Sequence, residues 1–280
     1  MDRNRDNVAV SALYTAATWR WAGFECAEFV TPAQSLPLFR WVNRVQSLYR
    51  WINPAVYSLP HQLLHRHAAI DKLLADAGLA RVLELAAGFS ARGSRCSRDP
   101  RCQYIEFDLP DMIRSKREQL AASADGRAVL ARSNFELRAG DVLHVDFLAD
   151  FVGSPLAVLS EGLMMYFSRE QQMQVWRQVA QLLRVCGGVY LFDYIPLPDE
   201  PQRSGLGRFL HFLRARVFRW RGDFAYDARD RHEVRCDLHL AGFEVVDIVD
   251  TGQVAAAWQL PQAMVPTRTL IYVCKARRPL

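Results

Sequence analysis

Two hydrophobic rhythms divide this chain at about residue 80. Residues 8 to 80 carry no alternating apolar pattern but do show helical spacing, as in "AAIDKLLADAGL", where Ile70, Leu73, Leu74 and Ala77 fall on one face. A helical N-terminal region over 1–80 follows. It is rich in rings (Tyr14, Trp19, Trp21, Phe24, Phe29, Phe39, Trp41, Tyr49, Trp51 and Tyr57), which predicts aromatic packing between helices. From residue 81 the pattern becomes short apolar runs separated by helical stretches. Runs at 81–86, 103–108, 135–140, 156–162, 188–194, 243–249 and 269–276 read as seven strands. Helices are expected over 111–123 and 168–185, the second opened by Ser168 with Gln171 at the capping-box position and closed before Gly187 and Gly188.

Strand and helix alternation of this kind predicts an α/β fold, a seven-stranded, mainly parallel, doubly wound (Rossmann-like) sheet. The helical N-terminal cap precedes it, and a helical substrate-cap insertion at about 196–235 follows the fifth strand. No period of 20 to 50 residues recurs, which argues against a repeat protein.

Composition narrows the class. Half of the 280 residues are hydrophobic, as in a globular protein, and no apolar run approaches the roughly 20 residues that cross a bilayer. The start, "MDRNRDNVAV", has no apolar signal segment, so a soluble, cytoplasmic protein is expected. Six cysteines, at 26, 96, 102, 186, 236 and 274, form no C-x-x-C pair, no histidine cluster has metal-ligand spacing, and no metal site is predicted. The net charge of +5 is local: "RSGLGRFLHFLRARVFRWR", 203–221, holds six arginines and no acid, so the remainder stands at −1. That segment reads as an amphipathic helix with a cationic face. It could be an ordinary solvated helix, a lid attracting an acidic acceptor, or a surface that meets membrane, a carrier protein or RNA. Nucleic acid is not the expected partner, because no nucleic-acid module flanks it.

The chemistry gathers at strand ends. In doubly wound sheets ligands bind outside the carboxyl ends of the strands. Four acids lie there: Glu84 within the first strand, Asp108 ending the second, Asp141 after the third and Glu161 after the fourth. The first strand runs into the small-residue turn Ala86, Ala87, Gly88, where a ligand can approach the backbone. Asp108 stands 20 residues beyond Gly88, near the offset at which an acid meets a ribose hydroxyl in nucleotide-binding units. With no G-K-[ST] and few loop glycines, the turn lacks a phosphate cradle. A nucleoside without phosphates is expected. S-adenosyl-L-methionine has the ribose, adenine, sulfonium, ammonium and carboxylate that suit several acids and one arginine.

"VLELAAGFSARGSR", "YIEFDLPDMIRSKREQL", "GDVLHVDF" and "SEGLMMYFSREQ" resemble the successive motifs of the leucine carboxyl methyltransferase family, including its bacterial polyketide O-methyltransferase branch of tetracenomycin type. The likeness runs from about residue 60 to 195. It implies a methyltransferase (transferase) using S-adenosyl-L-methionine, leaving S-adenosyl-L-homocysteine, and a place in secondary metabolism. By position it implies that Gly88 and the backbone around Ala86, with Glu84 in the same motif, meet the methionine part. Arg66 would meet the methionine carboxylate, Asp108 and Leu109 the ribose, Asp141 and Val142 the adenine, and Glu161 the sulfonium or ammonium end. The chain departs from the family's G-A-G with A-A-G, and from its D-T-R with Ser90, Ala91, Arg92. Ala86 is accommodated if its φ is negative. Arg92 loses the aspartate that would have partnered it.

Methyl transfer is an in-line displacement that asks chiefly for alignment and exclusion of water. A carboxylate acceptor is already ionised at pH 7, whereas a hydroxyl needs a base. Candidate catalytic groups are Asp193 and Tyr194 at the end of the fifth strand and His211 beside the arginine-rich segment, with His232 on its other flank. The expected activity is O-methylation of a carboxylate or hydroxyl on a small hydrophobic or acidic acceptor. Two other readings stand beside it: methylation of a macromolecule (a protein C-terminus or RNA), and a non-catalytic interaction protein of the same fold.

Overall fold

The structure, a computed structural model, describes residues 3–52, 57–194 and 229–277. Four helices come first: α1 (Arg3–Trp21), α2 (Ala27–Val30), α3 (Ser35–Ile52) and α4 (Leu59–Ala77). The expected seven strands follow as β1 (Arg81–Leu85), β2 (Gln103–Asp108), β3 (Phe135–Ala139), β4 (Leu156–Ser160), β5 (Gly188–Tyr194), β6 (Phe243–Asp250) and β7 (Leu270–Ala276). Between them lie α5 (Arg92–Cys96), α6 (Pro110–Ala121), α7 (Ala124–Leu130), α8 (Phe147–Phe151), α9 (Arg169–Cys186), α10 (Arg231–Ala241) and α11 (Thr251–Val254). The insertion expected over 196–235, and with it the arginine-rich segment and His211, lies outside the described residues up to 228.

The sheet order is β3-β2-β1-β4-β5-β7-β6. The pairings among β1 to β5 are parallel, and β7 runs antiparallel to both β5 and β6. The order reverses between β1 and β4, and such a switch point opens a crevice at the carboxyl ends of the strands. Alternation along β1 explains why the sheet is covered on both faces. Leu83 and Leu85 face one core with Val175, Trp176, Val179 and Leu183 of α9, while Val82 joins Ile70 and Leu74 of α4 and Trp19 of α1 on the other.

The ends of α9 are those expected from the sequence. Ser168 accepts from the Gln171 amide and Gln171 returns the bond to the Ser168 amide, a capping box worth about 1 kcal/mol. At its far end Gly188 has φ +122°, and a Cβ there would run into the Leu156 backbone, so only glycine lets the chain turn directly from α9 into β5.

The N-terminal helices pack through rings as predicted, with Tyr14 and Phe39 5.4 Å apart and Trp19 and Phe24 5.7 Å apart. Trp21, partly exposed, also packs on Phe39 at 6.0 Å and on His61 at 5.4 Å, whereas Trp51 is largely exposed. Helix α1 also lies over the strand ends. Tyr166, beyond β4, donates to Ser11 Oγ at 2.9 Å, and a Cβ on Gly88 would touch Ala12 at 3.4 Å. No described helix is long and apolar enough to cross a membrane.

Candidate functional site

The strand β1 ends one residue earlier than its pattern suggests because Ala86 turns left-handed. Ala86 has φ +54° and Gly88 φ +51°, with the Ala86 amide donating to Phe107 O at 2.7 Å. The expectation of a negative φ at Ala86 is therefore corrected. The turn keeps the conformation that a glycine would favour, and the methyl group costs about 1–2 kcal/mol of backbone strain. Ala86→Gly is accordingly expected to stabilise the protein by about 0.5–1 kcal/mol, the relief being partly offset by the greater freedom of glycine in the unfolded chain. A thermal melt checks it; an unchanged or lowered midpoint would show that the turn is not strained by the methyl.

Asp108 closes this turn from the neighbouring strand. The Gly88 amide donates to its Oδ2 at 2.7 Å and the Leu109 amide to its Oδ1 at 2.7 Å. Each oxygen keeps acceptor capacity for a further donor. Burial pushes the Asp108 carboxyl up to about 6, against the pull of the two amides and of Lys116. Lys116 of α6 itself is buried. It pairs with Glu106 Oε2 and donates to Ser90 O at 2.7 Å, bracing the far side of the turn. Burial likewise holds the Glu106 carboxyl up, to about 7.

The second half of the site is a buried network of charge. Arg66, from α4, donates through Nε to Glu161 Oε1 at 3.0 Å and through Nη1 to Asp193 Oδ2 at 3.1 Å. Its Nη2 makes no recorded hydrogen bond among the described residues. Asp193 also accepts from the Gly162 amide at 2.5 Å. Behind Glu161 stands Arg92, fully buried at the start of α5, which reaches Asp71 at 2.6 Å, Glu84 at 2.5 Å and Glu161 at 2.8 Å. His67 Nδ1 lies 2.8 Å from both Glu161 Oε2 and Arg92 Nη2, and its ring is 4.2 Å from that of Trp19. Burial alone would raise the Glu161 carboxyl, but His67, Arg66 and Arg92 hold it well below the usual carboxylate range. For Asp193 burial wins over Arg66 and its carboxyl is raised.

This network changes the reading of several residues. The partner that Arg92 lost with the family's aspartate is replaced from elsewhere, by Asp71 on α4 and Glu84 on β1. Glu84, expected beside the cofactor, has one oxygen on Arg92 and the other accepting from the Tyr104 hydroxyl at 2.7 Å. Its two oxygens thus hold Arg92 and Tyr104. Asp193, expected as a catalytic group, carries Arg66 and the Gly162 amide. Tyr194 is buried with its hydroxyl 3.4 Å from Arg229 Nη2, while Arg229 also pairs with Asp237. Asp141 caps its own turn through the Leu143 amide at 3.0 Å, and the Val142 side chain packs in the core with Phe107 and Phe147. Any contact Val142 makes with adenine would come through its backbone.

Asp71, His67, Tyr104 and Lys116 escaped the sequence reading. The signal available for Asp71 was its place in "AAID", one helical turn after His67 and five residues after Arg66. A spacing of that kind does not say which strand the helix face meets. Among the described residues no group of histidine, cysteine or acidic side chains is arranged to hold a metal ion.

The strand order, with β7 reversed and acids gathered at the switch point, defines the class: a Rossmann-like methyltransferase fold. The chain belongs to the leucine carboxyl methyltransferase family, which it matches over residues 31–180. A Parafrankia sp. (strain EAN1pec) protein that carries an S-adenosyl-L-methionine-dependent methyltransferase name is 26% identical over 200 residues, 62% of this chain and 64% of that protein. Another so named, from Mycolicibacterium paratuberculosis (strain ATCC BAA-968 / K-10), is 30% identical over 127 residues, 45% of this chain and 42% of that protein. The chain therefore spans less than two thirds of either relative. In fold it is similar to an O-methyltransferase crystal structure from Nostoc punctiforme, with a TM-score of 0.52, 16% identity, and coverage of 77% of this chain and 57% of that one. A Bordetella parapertussis protein is similar at a TM-score of 0.53 and 16% identity, covering 79% of this chain and 70% of that one.

Proposed function

We propose that the protein is an S-adenosyl-L-methionine-dependent O-methyltransferase acting on a carboxylate or hydroxyl of a small hydrophobic acceptor. The observation that carries this reading is the pairing of Gly88 with Asp108 across the crevice mouth, beside the Arg66–Glu161–Asp193 group at the ends of β4 and β5. The donor set suits the cofactor. Asp108 retains lone pairs for ribose hydroxyls, Arg66 Nη2 suits a carboxylate, and Glu161 Oε1, which accepts only from Arg66 among the described residues, keeps capacity for a cation. Asp141 and the Val142 backbone, at the end of β3, would border the adenine.

When bound, the cofactor supplies an electrophilic methyl group on a sulfonium. The chain's own part is to hold and to exclude. Asp108 fixes the nucleoside end, while Glu161 and Asp193 orient Arg66, whose guanidinium two carboxylates already hold in place. Helix α1, bonded to Tyr166 through Ser11, roofs the turn and keeps water from it. In this reading Asp193 is a positioning residue, and Tyr194 borders the acceptor side. An acceptor carboxylate needs no base, which matches a β5 end whose acid is already engaged.

Calorimetric titration with S-adenosyl-L-homocysteine is expected to show saturable binding on the micromolar scale, and a thermal shift that grows with ligand concentration. The absence of both heat and thermal shift would refute the proposal. Labelled methyl donor supplied with small-molecule and polymer fractions of a cell extract should mark a small acceptor; label in polymer would overturn the acceptor class.

The raised carboxyl of Asp108 adds a pH dependence. Below about 6 this side chain is protonated in the free protein and loses its strength as a charged acceptor. Affinity for S-adenosyl-L-homocysteine should rise as pH climbs through about 6 and level off above it, with pH 5 about tenfold weaker than pH 8. The effect on folding has the opposite sign. A carboxyl raised in the folded state opposes stability as pH rises from about 4, and that cost is complete above about 6. A flat affinity profile between pH 5 and 8 would remove Asp108 from the ribose.

A further inference from the structure

Helix α3 is amphipathic in an unusual way. Its inner side is fixed by the Tyr14–Phe39 ring contact, by Tyr14 donating to Asn43 Oδ1 at 2.7 Å, and by Gln46 Oε1 accepting the Leu59 amide at 3.2 Å. These contacts set the helix rotation, so what faces outward is determined. The outward positions are Pro37, Arg40, Trp41, Arg44, Leu48, Trp51 and Ile52, spaced three or four apart on one face. Leu48 is 67% exposed, Trp51 85%, Ile52 58% and Trp41 46%. Arg40 and Arg44 stand exposed among them and have no ion-pair partner among the described residues. The whole helix contains three arginines and no acid. An ordinary solvated helix face carries charges of both signs and few large apolar groups.

We infer that this face of α3 docks the protein on an anionic lipid bilayer surface. Tryptophan and leucine flanked by arginine are the residues that settle at the boundary of headgroups and acyl chains, and the helix lies flat there because its other side is committed to the protein. The stretch from Arg40 to Ile52 is about 18 Å long, enough to lay both cations and all four apolar side chains on one plane. The charge decides between partners. Pairing this face with a second copy of itself about a twofold axis would bring four arginines, Arg40 and Arg44 of each copy, into one interface to which the helix contributes no acid. An anionic membrane complements it. The inference stands apart from the proposed activity, since it uses none of the residues of the crevice.

The test is co-sedimentation of the full chain with vesicles of phosphatidylcholine alone and of phosphatidylcholine with phosphatidylglycerol at 3:1. The expected result is at least tenfold stronger partition to the anionic vesicles, weakening with salt, with a blue shift of tryptophan emission. Arg40→Gln with Arg44→Gln should weaken partition by about fivefold for each arginine removed, and Leu48→Glu with Trp51→Glu by more than tenfold. These positions are exposed, so unchanged circular dichroism should accompany the losses. Absence of binding at low salt overturns the inference. So does anionic binding that survives both pairs of substitutions, because the arginine-rich segment 203–221 would then carry it. A dimer in sedimentation equilibrium that Leu48→Glu with Trp51→Glu converts to monomer, with no change in vesicle binding, assigns the face to a second copy instead.

Discussion

Arg92→Met lowers the melting temperature by about 6–20 °C. The guanidinium is fully buried among Asp71, Glu84 and Glu161, and each of them contacts it within 2.8 Å. Removing one partner of a buried ion pair costs about 3–5 kcal/mol, because the remaining charge is left uncompensated in a medium that solvates it poorly. Here the substitution leaves Glu84 without a cation, and takes one partner each from Glu161, which keeps Arg66 and His67, and from Asp71, which keeps Arg95. At roughly 2–4 °C per kcal/mol for a domain of this size, the expected drop follows. Arg92→Lys separates charge from shape. It keeps the positive charge but not the planar fork that meets three acids in three directions, so an intermediate loss is expected. A drop below about 2 °C for Arg92→Met would mean that the network contributes little, and that Glu161 is held by Arg66 and His67 alone. The same substitution reports on the crevice, since Glu161 is shared between Arg92 and Arg66. A partly folded variant should bind S-adenosyl-L-homocysteine less well than the wild type.

Asp108→Asn weakens S-adenosyl-L-homocysteine binding by about 100-fold while leaving most of the protein folded. Hydrogen bonds to a charged acceptor contribute about 1.5–3 kcal/mol each, and a ribose offers two hydroxyls. The asparagine presents one oxygen and one NH2 where the carboxylate presented two oxygens. One of the amides of Gly88 and Leu109 then faces a donor, so a modest stability loss of about 1–2 kcal/mol is expected as well. Measured by calorimetry, a loss under fivefold would place the nucleoside elsewhere. The pH profile supplies an independent readout: the rise in affinity through about 6 should be flat in this variant, since the group that titrates is gone. A merely structural role for Asp108 would weaken binding without removing that slope.

The two variants together separate the crevice into parts that the chain order keeps apart. Asp108 belongs to β2 and works with the turn after β1. Arg92 opens α5 and works with α4 and with the residue after β4. Glu84 is bonded to Arg92 and also acts electrostatically on Asp108, so the effects of the two variants on stability should couple rather than simply add.

The sheet was legible because its strands are short apolar runs with turn residues at their ends, a local signal. All seven runs form strands, and the ends of α9 were readable from Ser168, Gln171 and Gly187 because capping is also local. The site was legible in its acids, for a strand-end carboxylate is a position that the topology rule names in advance. What that rule does not contain is which acid meets which base. Glu84 sits in the same motif as Gly88, yet the alternation of the strand turns it toward α4, where Arg92 and Tyr104 take it. Ala86 looked compatible with an extended backbone, and only the turn's geometry forces it left-handed. The exposed tryptophans of α3 were equally hidden: helical spacing shows that a helix has two faces, not which one is covered.

The sequence by itself determined the strand and helix alternation, the seven strands, the caps of α9, the acids at the strand mouths and the likeness to the leucine carboxyl methyltransferase family. These follow from local periodicity, capping chemistry and ordered motifs, all carried by neighbours in the chain. Only the tertiary structure decided that Arg66 bridges Glu161 and Asp193, that Arg92 is shared by three acids from α4, β1 and the β4 end, and that Trp51 and Leu48 face outward. Those pairings join residues up to 127 positions apart. They are set by how α4 lies on the sheet and how α3 lies on α1, which no single stretch of chain encodes.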